Sequence, residues 1–337
     1  MNPAPQVVTI GHAIVDVIHP SSDEFLIEQR LLKGAMELIE ADRAVELWAA
    51  MMAGGADHLT MMSGGSAANT AVVVAALGGR SGFIGKVRDD ELGHAFTSDL
   101  RAAGVRFESA MAPAYAPVPT GRSLINVTPD AERTMCTFLG AARGLRAPDM
   151  AASLLETADV TYLEGYLWDE LDARGALDTA MAMVHGAGKR FSLSLSDAFC
   201  VDRFRDEWID LIDGHVDILF GNDLELCSLF STPSLEHALE RARGMCEISA
   251  ITMGASGSLV LHGDETIEVR AHHVDHVVDT TGAGDAYAGG FLFGLTGGFD
   301  LHRCGELGGI AAAEIISHLG ARPGAALAEM ARAAALH

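Results

Sequence analysis

The run Asp279, Thr280, Thr281, Gly282, Ala283, Gly284, Asp285, Ala286, Tyr287, Ala288, Gly289, Gly290, Phe291, Leu292 gathers small residues around one carboxylate. The small residues Gly282, Ala283 and Gly284 let backbone N–H groups converge at the start of a helix. There, unpaired donors and the helix dipole favour an anion. Such a cradle suits a phosphate. Asp285 falls within the first helical turn beside it. A carboxylate there does little to bind phosphate, but it is placed to receive a proton from a hydroxyl that attacks one. A lone Asp at a helix start ordinarily answers the dipole; the glycines around this one favour a general base.

Other polar residues are candidates for the acceptor and nucleotide ends. A polyol needs hydrogen-bonding side chains at fixed positions. Asp16, expected at the end of the first strand, and Asn69, just inside a helix that follows Gly64 and Gly65, supply them for adjacent hydroxyls. Alone, Asn69 reads equally as a helix cap. Gly64 and Gly65 allow close backbone approach and serve as a hinge. Asn222 and Glu225, three apart, share a helical face, though by themselves they also fit a solvated helix start. Gly254 and Gly257 permit close backbone approach, or simply turn a hairpin. His272, His273, Asp275 and His276 cluster at or before a strand, where alternation on its two faces explains them better than metal binding. Arg122 and Arg133 flank a hairpin and either reach phosphate or substrate or stay solvated.

These residues need a scaffold. Short apolar runs (Val7 to Ile10, Phe83 to Ile84, Val160 to Leu163, Phe191 to Leu195, Val216 to Phe220, Ile248 to Met253) alternate with helix-length amphipathic segments. That pattern predicts a parallel α/β sheet. A further strand is expected over Val274 to Val278, ahead of the glycine cradle. In Ala44 to Met52, apolar residues recur at helical spacing and give a broad face that must pack on something. Ser123 to Thr128 and Arg133 to Phe138, flanking Pro129 to Glu132, read as a β-hairpin. The proline-spaced stretch Ala110 to Gly121 reads as an extended connection. Ile18 to Gly34 has no persistent period. The expected division is a large α/β unit over 1–16, 35–110 and 140–337, with a small discontinuous β lid over 17–34 and 111–139.

Composition removes several classes of function. The 337 residues include 23 Lys+Arg against 46 Asp+Glu, a formal charge of −23, so binding a nucleic-acid backbone would work against the overall field. Uncharged stretches are too short and glycine-broken to span a bilayer, and no basic, apolar leader is evident, so no membrane partner and a cytoplasmic location are expected. Five scattered cysteines form no CxxC pair, which indicates neither a disulfide framework nor a zinc site. GxxxxGK[ST] is missing and Gly11 is followed by His12 and Ala13, so P-loop NTPases and Rossmann dehydrogenases lose support.

DTTGAGDAYAGGFL resembles the C-terminal signature of the ribokinase, or PfkB, carbohydrate kinase family, which includes adenosine kinases. Ser63, Gly64, Gly65, Ser66, Ala67, Ala68, Asn69, Thr70 resembles the family's N-terminal Gly-Gly motif. The resemblance covers essentially the whole chain and implies a ribokinase-like three-layer α/β sandwich with a mainly parallel central sheet and a small β lid. It implies that Asp285 is the base and that the amides of Gly282, Ala283 and Gly284 form the anion hole. Asp16, Gly64, Gly65 and Asn69 would hold a sugar. Asn222 and Glu225 match the family's Asn-x-x-Glu motif, associated with Mg²⁺ through water. Thr252, Gly254 and Gly257 lie in a segment like the family's turn beside ATP, and Asp279 and Thr281 would help hold a monovalent cation such as K⁺.

Ile10 to Leu47, Glu132 to Leu145, Thr161 to Asp169 and Leu195 to Arg205 look like bacterial adenosine kinases. Among those proteins aromatics sandwich the purine, a role that falls to Phe138, Tyr166 and Phe199 or leaves them in the core. The expected function is phosphorylation of the adenosine 5′-hydroxyl by Mg²⁺-ATP. Ribose, fructose or another nucleoside is the alternative acceptor, and a non-catalytic nucleoside-binding protein is a further one. Either a monomer or a homodimer is compatible with the resemblance.

Overall fold

The computed structural model describes residues 3–53, 59–109, 111–130 and 132–334. Fourteen strands lie among them: β1 (Val7–Ile10), β2 (Ile14–Pro20), β3 (Met36–Leu38), β4 (Thr60–Gly64), β5 (Ser81–Ile84), β6 (Arg106–Phe107), β7 (Gly121–Val127), β8 (Arg133–Phe138), β9 (Val160–Glu164), β10 (Arg190–Ser194), β11 (Ile218–Asn222), β12 (Ile248–Thr252), β13 (Ser258–His262) and β14 (Glu265–Val269). Nine form one sheet in the order β14-β13-β12-β11-β10-β9-β1-β5-β6, parallel from β12 to β6 and antiparallel at β13 and β14. The apolar runs become the central strands because both faces are covered. Val7, Phe83, Val160, Tyr162 and Phe220 pack on one side with helices Ser66–Ala76 and Ala283–Thr296. Val8, Leu163, Leu193 and Leu219 pack on the other with Leu171–Gly186 and Arg205–His215. This is a three-layer α/β sandwich.

A second sheet has the order β3-β8-β7-β2-β4. The hairpin β7–β8 forms as expected, with Val127 opposite Arg133. The sheet is wider than the sequence division allowed, because β3 and β4 belong to it although 35–110 was assigned to the large unit. β3 has three residues, all exposed, and β4 begins with two exposed ones, so neither carries the buried alternation that marks a strand in sequence. The helix Ala41–Met52 also sides with this sheet: Leu47 and Met51 pack with Val15, Val17, Leu124 and Cys136.

Two further expectations are corrected. Asp16 does not end the first strand; it sits inside β2, opposite Met62 and Ser123 in the second sheet, because the chain turns at Gly11–Ala13 and starts a new strand. Val274–Val278 is not a strand. The segment 270–279 is irregular and mostly exposed, Val277 and Val278 included, since no neighbouring strand offers it a ladder. His272, His273, Asp275 and His276 therefore do not alternate on strand faces; they are exposed, with His273 Nε2 3.2 Å from Asp275 Oδ1. Among the described residues, no group of three or more His, Cys, Asp or Glu is arranged to hold a metal ion. The five cysteines are unpaired, and no described helix is long and apolar enough to cross a membrane.

Candidate active site

The parallel strands β1, β9, β10, β11 and β12 end at one edge of the large sheet, the edge where open α/β sheets gather polar side chains. The second sheet joins there through the short Gly11–Ala13 link.

Close helix packing brings the two glycine motifs together. A Cβ on Gly289 would lie 2.8 Å from Val73 Cβ, so glycine lets the Ala283–Thr296 helix approach Ser66–Ala76 backbone to side chain. Asp285, in the first turn of the former, then meets the first turn of the latter. Ser66 Oγ donates to Asp285 Oδ1 at 2.6 Å and Asn69 Nδ2 donates to Oδ2 at 3.0 Å. Asn69 is thus not a cap. Burial pushes the Asp285 carboxyl up to about 6, against the pull of these two donors; Glu164 adds to the rise and Arg322 opposes it. A carboxylate poised near 6 is a competent base at neutral pH.

The cradle itself depends on one backbone conformation. Gly282 caps the helix at φ +80°, and a side chain there would be strained and would bring its Cβ to 2.5 Å from Ala321 Cβ. Ala286 N–H donates to Gly282 O at 2.8 Å, so the N–H groups of Gly284 and Asp285 lie at the open end of the helix.

Asp16 reaches the site from the second sheet. A Cβ on Gly64 would run into its carboxylate, so the glycine gives the carboxylate its room. Burial holds Asp16 at about 6, raised further by Asp285 and lowered by Arg322 and Arg133. The Asp16 and Asp285 carboxylates thus stand in each other's field. Gly65, at φ +93°, lies against the His12 carbonyl, which leaves no room for a side chain.

Three contributors were not singled out from sequence. Ser66 was quoted only as part of the Gly-Gly motif. Glu164, buried at the end of β9, accepts from His12 N–H at 2.7 Å and from Ala67 N–H at 2.8 Å, and His12 Nδ1 lies 2.9 Å from it. It thereby ties the β1–β2 link to the helix that carries Asn69. An acid closing an otherwise apolar strand was the available signal. Arg322 donates from Nε to Ser63 O at 2.8 Å and from Nη2 to Ser63 Oγ at 2.7 Å. Arg133, one of the two hairpin arginines, pairs with Asp279 at 2.5 Å, both side chains nearly buried. The other, Arg122, lies 5.2 Å over the Trp48 ring.

That ion pair decides the cation question at Asp279. Its Oδ1 accepts from Thr281 N–H at 2.9 Å, and its Oδ2 accepts from Gly320 N–H at 2.9 Å and from Arg133. The carboxyl is held below the usual carboxylate range by these donors despite burial. The guanidinium takes Oδ2 and the Thr281 N–H takes Oδ1, so both oxygens already have donors and the Asp279 side chain is a poor fit for K⁺.

Asn222 and Glu225 are not two exposed residues on one helical face. They form a capping box at the start of Asp223–Leu229: Asn222 N–H donates to Glu225 Oε2 at 2.9 Å, and Glu225 N–H donates to Asn222 Oδ1 at 2.8 Å. Burial raises Glu225 to about 7. Both Glu225 oxygens are thus hydrogen-bonded within the pair, so any Mg²⁺ here would be reached through water rather than directly. Thr252 is in register beside Asn222, while Gly254 and Gly257 turn the β12–β13 hairpin. Tyr287 OH donates to Ser258 Oγ at 2.8 Å and ties that hairpin to the Asp285 helix.

The three aromatics do not converge. Tyr166 borders the site: Asp285 adds to the burial that raises its phenol, and its OH donates to Ser196 O at 3.1 Å. Phe199 is 66 % exposed with the Arg203 guanidinium 4.7 Å over its ring. Phe138 is displaced by strand parity. Asp16, Ser123 and Thr137 share one face of the second sheet, whereas Phe138, opposite Arg122, lies on the other, with Leu124 and Cys136.

The family model for pfkB family carbohydrate kinases matches residues 4–327. The chain belongs to the pfkB family. Its members among solved structures include an adenosine kinase from Sinorhizobium meliloti, 45% identical, covering 98% of this chain and 99% of that one at a TM-score of 0.88. They also include a probable sugar kinase from Rhizobium etli, 44% identical, covering 99% and 100% at 0.89. An aminoimidazole riboside kinase from Salmonella typhimurium is 30% identical over 69% of this chain and 73% of its own length. As a pfkB kinase, the protein is a phosphotransferase that acts on a hydroxyl of a sugar or nucleoside.

Proposed function

We propose that the chain phosphorylates adenosine at its 5′-hydroxyl with Mg²⁺-ATP, and that Asp285 is the base. The observation that carries the chemistry is Asp285 at the open N-terminus of its helix, raised to about 6 and oriented by Ser66 and Asn69. The 45% identity to an adenosine kinase over nearly the whole chain supports the acceptor.

In this reading Asp285 accepts the hydroxyl proton as the hydroxyl oxygen forms a bond to the γ-phosphorus. The bond from that phosphorus to the β–γ bridging oxygen breaks, and ADP leaves. The N–H groups of Gly282 and Gly284 bear the negative charge that develops, with that of Asp285 beside them; the Ala283 N–H, expected among them, already donates to Thr280 O at 3.2 Å. Mg²⁺, when bound, neutralises phosphate charge, and Asn222 and Glu225 would hold it through water. Asp16 and Asn69 take the vicinal hydroxyls of the acceptor, with the carboxylate as bond acceptor. The five-stranded sheet acts as the lid, which the Arg133–Asp279 pair supports by joining it to the loop before the cradle.

ADP release with Mg²⁺-ATP, measured side by side for adenosine, inosine, ribose and fructose, tests the acceptor. Turnover favouring adenosine by at least tenfold in kcat/KM is expected. Preference for ribose or fructose would transfer the same machinery to a free sugar, the reading that the likeness to a probable sugar kinase supports.

A further inference from the structure

We propose that Arg322 is a positioning residue for phosphoryl transfer: its guanidinium clamps the Ser63–Ala68 turn and so fixes Ser66 and Asn69 on Asp285. This role rests on Asp285 being the base, as proposed above.

Arg322 lies on a strap, Gly320–Gly324, that is held at both ends and beside Gly282. Gly320 N–H donates to Asp279 at 2.9 Å, Ala321 abuts Gly282, and Gly324 N–H donates to the buried Glu314 at 2.8 Å. The strap thereby touches the cradle on one side and offers Arg322 to the acceptor turn on the other. Nε and Nη2 grip the Ser63 carbonyl and hydroxyl, while Nη1 reaches Ala68 O at 3.3 Å. Ser63 N–H is held from behind by Asp99 at 2.8 Å. Ser66 lies between the two gripped residues and Asn69 directly follows the second, so this fork holds both donors to Asp285, with Glu164 holding the Ala67 N–H between them. A lysine supplies a point charge but cannot span three acceptors in a plane.

The guanidinium is also a buried charge among carboxylates. Asp16, Asp99 and Asp285 face it; Arg133 also faces Asp16; and Glu164, Tyr162 and Tyr166 share the field of Asp285. Burial brings Arg322 down to about 10, still fully protonated at neutral pH, and its attraction draws Asp16 and Asp285 down against their own burial. Charge and fork are separable by substitution.

The test compares Arg322→Gln and Arg322→Lys with the parent enzyme, using the acceptor the parent turns over best and following kcat and kcat/KM across pH 4.5–9. Arg322→Gln is expected to move the acid limb of kcat/KM up by about 0.5–1 pH unit and to lower kcat at pH 8 by roughly 10–100-fold. Arg322→Lys is expected to leave the limb within about 0.3 unit of the parent while kcat stays roughly tenfold down, because the charge returns without the fork. An Arg322→Gln limb that superimposes on the parent's, or a kcat within twofold in both variants, overturns the proposal. Should Arg322→Gln fail to fold, Arg322→Lys alone decides: undiminished kcat refutes the clamp. Substantial turnover by Asp285→Asn would instead strike at the base, and so at the reading on which this role rests.

Discussion

Arg133 at the start of β8 and Asp279 ahead of the glycine cradle are 146 positions apart in sequence and joined by a nearly buried ion pair at 2.5 Å. The pair links the second sheet to the loop that leads into the Gly282–Gly284 turn. Removing one partner strands the other charge in a dry place, which is costlier than removing both. Arg133→Gln and Asp279→Asn should each lower kcat/KM, and the double variant should fall short of the summed losses by more than about 1 kcal/mol, as a double-mutant cycle on kcat/KM would reveal. Additive losses would mean that the two sites act independently.

Asp285→Asn keeps the hydrogen-bonding shape but cannot take a proton. kcat should drop by about 10²–10⁴-fold, while the acceptor's dissociation constant, measured by calorimetry, should stay within about threefold because Asp16 and the glycine turn are untouched.

The rate should also depend on pH in a particular direction. The base proposed above, Asp285, works deprotonated, and its carboxyl is raised to about 6, so kcat/KM should climb as pH rises through 6 and level off above 7. An acid limb near 4 would be incompatible with the burial of Asp285.

Stability should run the other way. Asp16 and Asp285 are raised to about 6 when folded against 3.8 in an ordinary setting, so the folded state binds more protons than the unfolded one between those values. Their contribution to stability is therefore present at the acid end and is lost as pH rises from about 4 through 6. Asp16→Asn removes one such group. Its melting temperature relative to the parent should improve between pH 5 and pH 7, and a flat difference would contradict the assigned burial.

Phe138 and Gly282 test the geometry. Phe138→Leu should cost about 1 kcal/mol of stability yet leave the acceptor KM within twofold, because the ring lies on the far face from Asp16. Gly282→Ala should cost about 1–3 kcal/mol for the positive φ and its approach to Ala321 and should abolish most turnover. Thermal melts paired with rate measurements distinguish the two residues.

How much of this was legible in the chain differs by residue. The Asp285 motif, the parallel strands and the β7–β8 hairpin announce themselves through glycines, apolar runs and a turn, all local signals. For Phe138 the core reading is the one the structure gives, and the single step of strand parity that decides it is not visible until the register with β7 and β2 is known. Asp279 offered a carboxylate suited to a cation, and only the fold shows that Arg133 already fills that place. Arg322 gave no signal, because its partner Ser63 is 259 positions away and the Gly-Pro setting around it reads as an ordinary loop.

The strap at Gly320–Gly324 gives the molecule an order of assembly. The acceptor turn is made early in synthesis and the cradle late, but the residues that bind them to one another leave the ribosome after both. The proposed alignment therefore needs residues 320–324, which follow both glycine motifs in the chain. A chain halted just before Gly320 would carry both glycine motifs and lack the side chain that bridges Ser63 and Ala68.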